Sequence, residues 1–177
     1  MKLLILDRDG VINFDSDAFI KHPDEWRPIP GSLDAIALLT QGGWRIVVAT
    51  NQSGVGRGLF DMATLNAINT KMHKAVTQAG GRIEAVFYCP DTDESRSPNR
   101  KPGPGMFLAI AERFNAPLAH APAIGDSLRD LQAAAAVGAQ PILVLTGKGA
   151  KTRAAGNLPA GTAIHSDLAA AARALSQ

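Results

Sequence analysis

Four apolar residues running straight into charge, Leu3-Leu4-Ile5-Leu6 followed by Asp7-Arg8-Asp9-Gly10, constrain the fold of this chain more than any other stretch. The run is too short to cross a membrane and reads as a strand buried on both faces, as strands of a parallel sheet are. Asp7 and Asp9 then stand at its carboxyl end, where open α/β sheets place their ligands. Alternate strand residues share a face, so the two carboxylates can enter one crevice, and Gly10 lets the backbone turn sharply after them. Taken alone, Asp-Gly after a strand is equally an ordinary turn, and the remaining sequence has to separate the two readings.

The same pattern returns along the chain. Trp44 to Thr50 is a second apolar run, ending in Asn51-Gln52-Ser53-Gly54, and Ala85 to Cys89 is a third. Ala121 to Gly125 ends at Asp126, Pro141 to Leu145 gives a fifth strand, and Thr162 to His165 a brief sixth. Between them, apolar residues at helical spacing predict helices. One opens with Ser32 as N-cap and closes at Gly42-Gly43, and one capped by Asp61 runs from Met62 to about Ala79 with Leu65, Ile68, Met72 and Val76 on one stripe. Others follow Pro104, span Leu128 to Val137 with Asp126 as a candidate cap, cover Lys151 to Ala155, and follow a cap at Ser166. Asn13 to Gly31 and residues 90–101 read as loops. Strands alternating with helices predict an α/β fold: a three-layer Rossmann-like parallel sheet with helices on both faces, no large cap domain, and a single domain over residues 1–177.

Composition narrows the partners. A net charge of +2, with 18 basic residues scattered among few aromatics, provides neither a nucleic-acid footprint nor a membrane-binding face. Oligomeric state stays open, with a monomer as the simpler expectation. The short first apolar run does not make a signal-peptide core, so a cytoplasmic protein is expected. Cys89 is the only cysteine, which rules out an intrachain disulfide and argues against a cysteine-built zinc site.

The strand ends and the loops after them bring forward a coherent set. Carboxylates from Asp7 and Asp126, with an oxygen from Asp9, are the hard ligands that Mg²⁺ prefers. Hydroxyl, amide and ammonium groups of Thr50, Asn51 and Lys101 suit the oxygens of a phosphoryl group. Each has an ordinary reading too: Thr50 as a strand end, Lys101 as a surface lysine, Asp126 as a helix cap. The four histidines have no ligand spacing, and Asp15 and Asp17, in the first loop, could touch substrate hydroxyls, although solvated loop carboxylates are commoner.

DRDG at 7–10, TNQSG at 50–54, RKP at 100–102 and GDSLRD at 125–130 resemble the four ordered motifs of the haloacid dehalogenase superfamily of phosphatases. Within it, DRDGVIN, TNQSGVGRG and RKPGPGM are similar to the branch that contains the heptose-bisphosphate and histidinol-phosphate phosphatases. The resemblance implies a Mg²⁺-dependent phosphomonoesterase that removes the C7 phosphate of a heptose bisphosphate, a small phosphorylated sugar, with histidinol phosphate as the alternative substrate and a non-catalytic phospho-accepting domain as the alternative class. Asp7 would be the nucleophile, Asp9 the proton donor and later base, and Thr50 and Lys101 the phosphoryl clamp, with contacts from Asn51 and Ser53. Asp7, Asp9 and Asp126 would hold the metal, Asp130 would support it, and Arg57 and Arg100 would grip a second phosphate or the sugar. The chain departs from that branch in two places. Of the usual three cysteines and one histidine that bind zinc before RKP, only Cys89 remains, with Asp91 at the histidine position, so no structural zinc is expected. Ser127 follows Asp126 where lysine is common.

Overall fold

The computed structural model describes residues 1–177 as one six-stranded sheet with helices on both faces. Its strands are β1 (Lys2–Leu6), β2 (Trp44–Asn51), β3 (Ala85–Cys89), β4 (Pro122–Gly125), β5 (Gln140–Val144) and β6 (Ala163–His165). Its helices are α1 (Ser32–Gln41), α2 (Ser53–Gly56), α3 (Met62–Gln78), α4 (Gly105–Phe114), α5 (Leu128–Ala136), α6 (Gly149–Ala155) and α7 (Leu168–Leu175). All strand pairs are parallel and their order is β3-β2-β1-β4-β5-β6, so the chain reverses its winding between β1 and β4. The carboxyl ends of those two neighbours form the crevice where doubly wound sheets bind ligands. No helix is long and apolar enough to cross a membrane.

Strand alternation divides the core in two. Leu4 and Leu6 of β1, with Ile46 and Val48 of β2, pack against α1, α3 and α7 on one face. Leu3 and Ile5, with Val47 and Ala49, pack against Met106, Phe107 and Ile110 of α4 and against α5 on the other. A strand buried on both faces has no polar side to write into its sequence, which is why β1 reads as an unbroken apolar run.

Most expected elements form, and the differences lie at helix starts. Ser32 is the first residue of α1 rather than its cap. Gly31, at a φ of 88°, occupies the cap, and the Ser32 hydroxyl donates instead to the buried Val11 carbonyl at 2.8 Å. Ser127, not Asp126, caps α5, in a capping box with Asp130. Asp167 rather than Ser166 caps α7, accepting from the Ala170 N–H at 2.8 Å. Asp61 caps α3 as expected, accepting from the Thr64 N–H. The short α2 forms where only a polar turn after Thr50 is expected.

The Ser32 bond ties α1 to the loop that follows β1, and the Val11 carbonyl accepts no other hydrogen bond. Ser32→Ala leaves that carbonyl buried and unpaired, so the protein should lose about 1–2 kcal/mol of unfolding free energy in urea with the slope unchanged. An unshifted midpoint would show that the bond does not hold the loop.

Candidate active site

Lys101 is the centre of the site. Its side chain is almost fully buried, and its ammonium lies 2.7 Å from Asp130 Oδ1 and 3.2 Å from Asp7 Oδ1 while donating to the Ala49 carbonyl at 2.7 Å. One ammonium thus lies within 3.2 Å of three oxygens from three parts of the chain. The Asn51 side chain fixes the lysine's backbone, donating to the Lys101 carbonyl (3.1 Å) and accepting its N–H (3.0 Å). The Asn51 amide, expected at the phosphate, is therefore committed to the loop that delivers Lys101. The Lys101–Pro102 peptide is cis.

Asp7 continues from β1 and donates its N–H to the Ile124 carbonyl of β4 (2.9 Å), which sets its carboxylate at the crevice mouth. Across the crevice, Asp126 accepts the Lys148 N–H at Oδ2 (2.8 Å), and its own carbonyl accepts from Thr152 Oγ1 (2.8 Å). Two glycines make room for it. At Gly10, with a φ of 85°, a Cβ would come within 2.1 Å of Asp126 Oδ2, and at Gly147, with a φ of 55°, within 2.3 Å. Only glycine fits such positions, by space and by dihedral angle together.

Carboxylate oxygens of Asp7, Asp126 and Asp130 lie within 4.8 Å of one another. Asp130 is spent within the protein, with Oδ1 on Lys101 and Oδ2 on the Ser127 N–H and hydroxyl, and it supports rather than offers ligands. Burial, then the Asp130 charge, push the Asp7 carboxyl up to about 7 despite Lys101. Burial, then Asp7 and Asp130, push Asp126 up to about 8. Burial acts on Asp130 in the same direction, but Lys101, with Arg129 and the Ser127 hydrogen bond, outweighs it and leaves that carboxyl below its ordinary value. Two crowded carboxylates that resist losing their protons, with only oxygen donors nearby, fit a hard divalent cation. Asp7 and Asp126 would hold it. Asp9 can add only its main-chain carbonyl, which accepts no hydrogen bond, because its carboxylate is engaged elsewhere.

That engagement involves residues the sequence reading did not single out. Asp9 takes the Arg8 Nε at 2.8 Å, the Asn13 amide at 2.9 Å and the Gln52 amide at 3.3 Å. Burial alone would raise Asp9, but the Arg8 charge and these bonds outweigh it and hold the carboxyl below its ordinary value. Gln52 also donates to the Thr50 hydroxyl at 2.9 Å, linking the expected proton donor to the hydroxyl expected at the phosphoryl group.

The crevice opens into a cleft of about 240 Å³ whose lining holds one hydrophobic residue, Phe19, and many charges. Thr50, Ser53, Arg57 and Arg100 line it as the motifs imply, and Arg129 and Lys148 join them on the rim. Lys148 Nζ pairs with Asp15 Oδ2 at 2.9 Å, so the loop after β5 bridges to the loop after β1. Residues 90–101 are held by their own side chains. Arg100 Nε donates to Asp93 Oδ1 (2.6 Å) and its Nη1 to the Asp91 carbonyl (3.3 Å), while the Gly105 N–H donates to the Pro98 carbonyl (2.8 Å).

A doubly wound sheet with acidic groups at two adjacent strand ends and a buried lysine between them defines a phosphohydrolase of the haloacid dehalogenase type. Family models agree: the polynucleotide kinase 3 phosphatase model matches residues 2–127 and the HAD-hydrolase-like model residues 98–171. The chain is 60% identical to the D-glycero-beta-D-manno-heptose-1,7-bisphosphate 7-phosphatase of Bordetella bronchiseptica over 100% of this chain and 99% of that one. It is 54% identical to the Pseudomonas putida protein of the same name, over 99% of each. A crystal structure of the B. bronchiseptica D,D-heptose 1,7-bisphosphate phosphatase, complexed with magnesium and phosphate, superposes with a TM-score of 0.97, covering 99% of this chain and 98% of that one at 60% identity. The D,D-heptose 1,7-bisphosphate phosphatase of Burkholderia thailandensis gives 0.80 at 56% identity, over 99% and 98%. The chain belongs to this heptose-bisphosphate phosphatase family.

In chelator-treated protein, the raised carboxyls of Asp7 and Asp126 bind protons in the folded state across about pH 4 to 8, where the unfolded chain has released them. Their contribution therefore falls as pH rises through that window. A divalent cation replaces those protons, so its addition should raise the melting temperature by several degrees at pH 8 and far less at pH 5. Equal shifts at the two pH values would contradict the fit.

Proposed function

We propose that this protein is a Mg²⁺-dependent phosphomonoesterase that removes the C7 phosphate from D-glycero-β-D-manno-heptose 1,7-bisphosphate. Full-length similarity to phosphatases of that name supports the substrate and the anomer, and the magnesium and phosphate in the B. bronchiseptica structure support the cofactor. The observation that carries the reading is the cleft itself. One buried lysine and Thr50 suffice for the phosphoryl group that reacts, yet the lining also carries Arg57 and Arg129, neither ion-paired, beside Arg100 and Lys148, which are paired with Asp93 and Asp15. A second phosphate on the substrate accounts for them. Histidinol phosphate, the alternative, would bring an ammonium group towards those same arginines.

Asp7 Oδ attacks phosphorus in line with the P–O bond to the C7 oxygen, forming an aspartyl-phosphate as that P–O bond breaks. Asp9 gives its proton to the leaving oxygen. Held low in the free protein, Asp9 gains affinity for that proton when an anionic phosphate arrives beside it. It then takes a proton from water, whose oxygen attacks phosphorus and releases phosphate and free Asp7. Lys101 lowers the repulsion between the Asp7 carboxylate and the phosphoryl oxygens, and Thr50 and Ser53 fix those oxygens. Bound Mg²⁺ adds charge neutralisation at the same oxygens.

A substrate panel tests the reading. With Mg²⁺ the protein should release the C7 phosphate of the β-bisphosphate and leave C1 intact, with much lower kcat/KM for the α-anomer, histidinol phosphate and a 3′-phosphorylated oligonucleotide. Asp7→Asn should reduce release to background, and Asp9→Asn should slow it by roughly 10²–10⁴-fold. Preference for histidinol phosphate, or normal turnover by Asp7→Asn, would overturn it.

A further inference from the structure

Helix α3 carries one polar residue, Asn69, in the buried stripe otherwise formed by Leu65, Ile68, Met72 and Val76. It faces Arg8, which is fully buried although it sits between two aspartates of the reactive loop. A buried guanidinium is costly unless its donors are matched. Arg8 matches them with two partners: Nη1 donates to Asn69 Oδ1 at 3.0 Å, while Nε and Nη2 donate to the two oxygens of Asp9 at 2.8 and 3.3 Å. The planar fork thus grips the Asp9 carboxylate at both oxygens and is itself anchored 61 residues away in the chain. Asn13 and Gln52 add one bond to each oxygen.

We propose that Arg8 and Asn69 form a buried post that positions Asp9 for proton transfer, and that α3 is thereby part of the catalytic architecture. This rests on the role of Asp9 proposed above. Neither post residue lines the cleft, so neither touches substrate. Both act through Asp9, whose side chain stays 21% exposed towards the cleft. The fork fixes the plane of the carboxylate, and it keeps Asp9 from swinging into the cluster of Asp7, Asp126 and Asp130.

A positioning role predicts a leaving-group effect. A sugar alkoxide needs a proton as it leaves, whereas p-nitrophenolate departs without one. Release of the leaving group in the first turnover is measured for wild type, Asn69→Ala, Arg8→Lys and Asp9→Asn, with heptose 1,7-bisphosphate and with p-nitrophenyl phosphate. Asn69→Ala and Arg8→Lys should slow sugar release by about tenfold or more, a part of what a general acid contributes. Nitrophenolate release and the KM for the bisphosphate should stay within about twofold, with cooperative melting retained. Equal slowing of both substrates, or of neither, overturns the post. If Asp9→Asn alone shows the selective loss, proton transfer by Asp9 stands and the post falls. If Asp9→Asn shows none, both fall.

Discussion

The ammonium of Lys101, shared among Asp7, Asp130 and the Ala49 carbonyl, is the interaction on which the site depends. Three carboxylates this close repel one another, and burial removes the water that would screen them. With one cation among them the cluster is still short of positive charge, and burial first, then the neighbouring carboxylates, raise the Asp7 and Asp126 carboxyls. That deficit is what a divalent ion would relieve, and its relief lets an anionic phosphoryl group approach Asp7. The fold therefore keeps an electrostatic imbalance where the chemistry needs it.

Each participant reaches the crevice by backbone logic. The reversal of winding between β1 and β4 puts Asp7 and Asp126 at neighbouring strand ends. Gly10 and Gly147 allow two loops to close on the Asp126 carboxylate, and the Asn51 clamp brings the Lys101 loop across from β2. Because β1, β2, β4 and β5 are largely buried on both faces, the polar groups gather at their carboxyl ends. The lining is consequently almost wholly polar.

Much of this was legible in the sequence because it is local. The apolar runs from Leu3, Trp44, Ala85, Ala121 and Pro141 each became a strand, and the stripe from Leu65 to Val76 became the buried face of α3. The motif residues at the strand ends do share one cleft. What escaped depends on segments meeting at a distance. Nothing local marks Arg8 as buried before Asn69 arrives from α3, and nothing local marks the Gln52 amide as the bridge between Thr50 and Asp9. Lys148 acts on Asp126 through its backbone N–H, which no side-chain pattern records. Ser32 and Ser166 missed their cap positions by one residue, since a neighbouring glycine or aspartate serves as well. The loop at 90–101 carries its own fastening in Arg100 and Asp93, a pair visible in the sequence as two charges but not as a contact.

The central claim is that Asp7 accepts phosphorus. Protein mixed with Mg²⁺ and the heptose bisphosphate, quenched in acid within a turnover and reduced with borohydride, converts an acyl phosphate to homoserine that peptide mass spectrometry locates. Homoserine at position 7 is the predicted result. Its absence during active turnover, or its appearance at position 9, 126 or 130, would contradict the account.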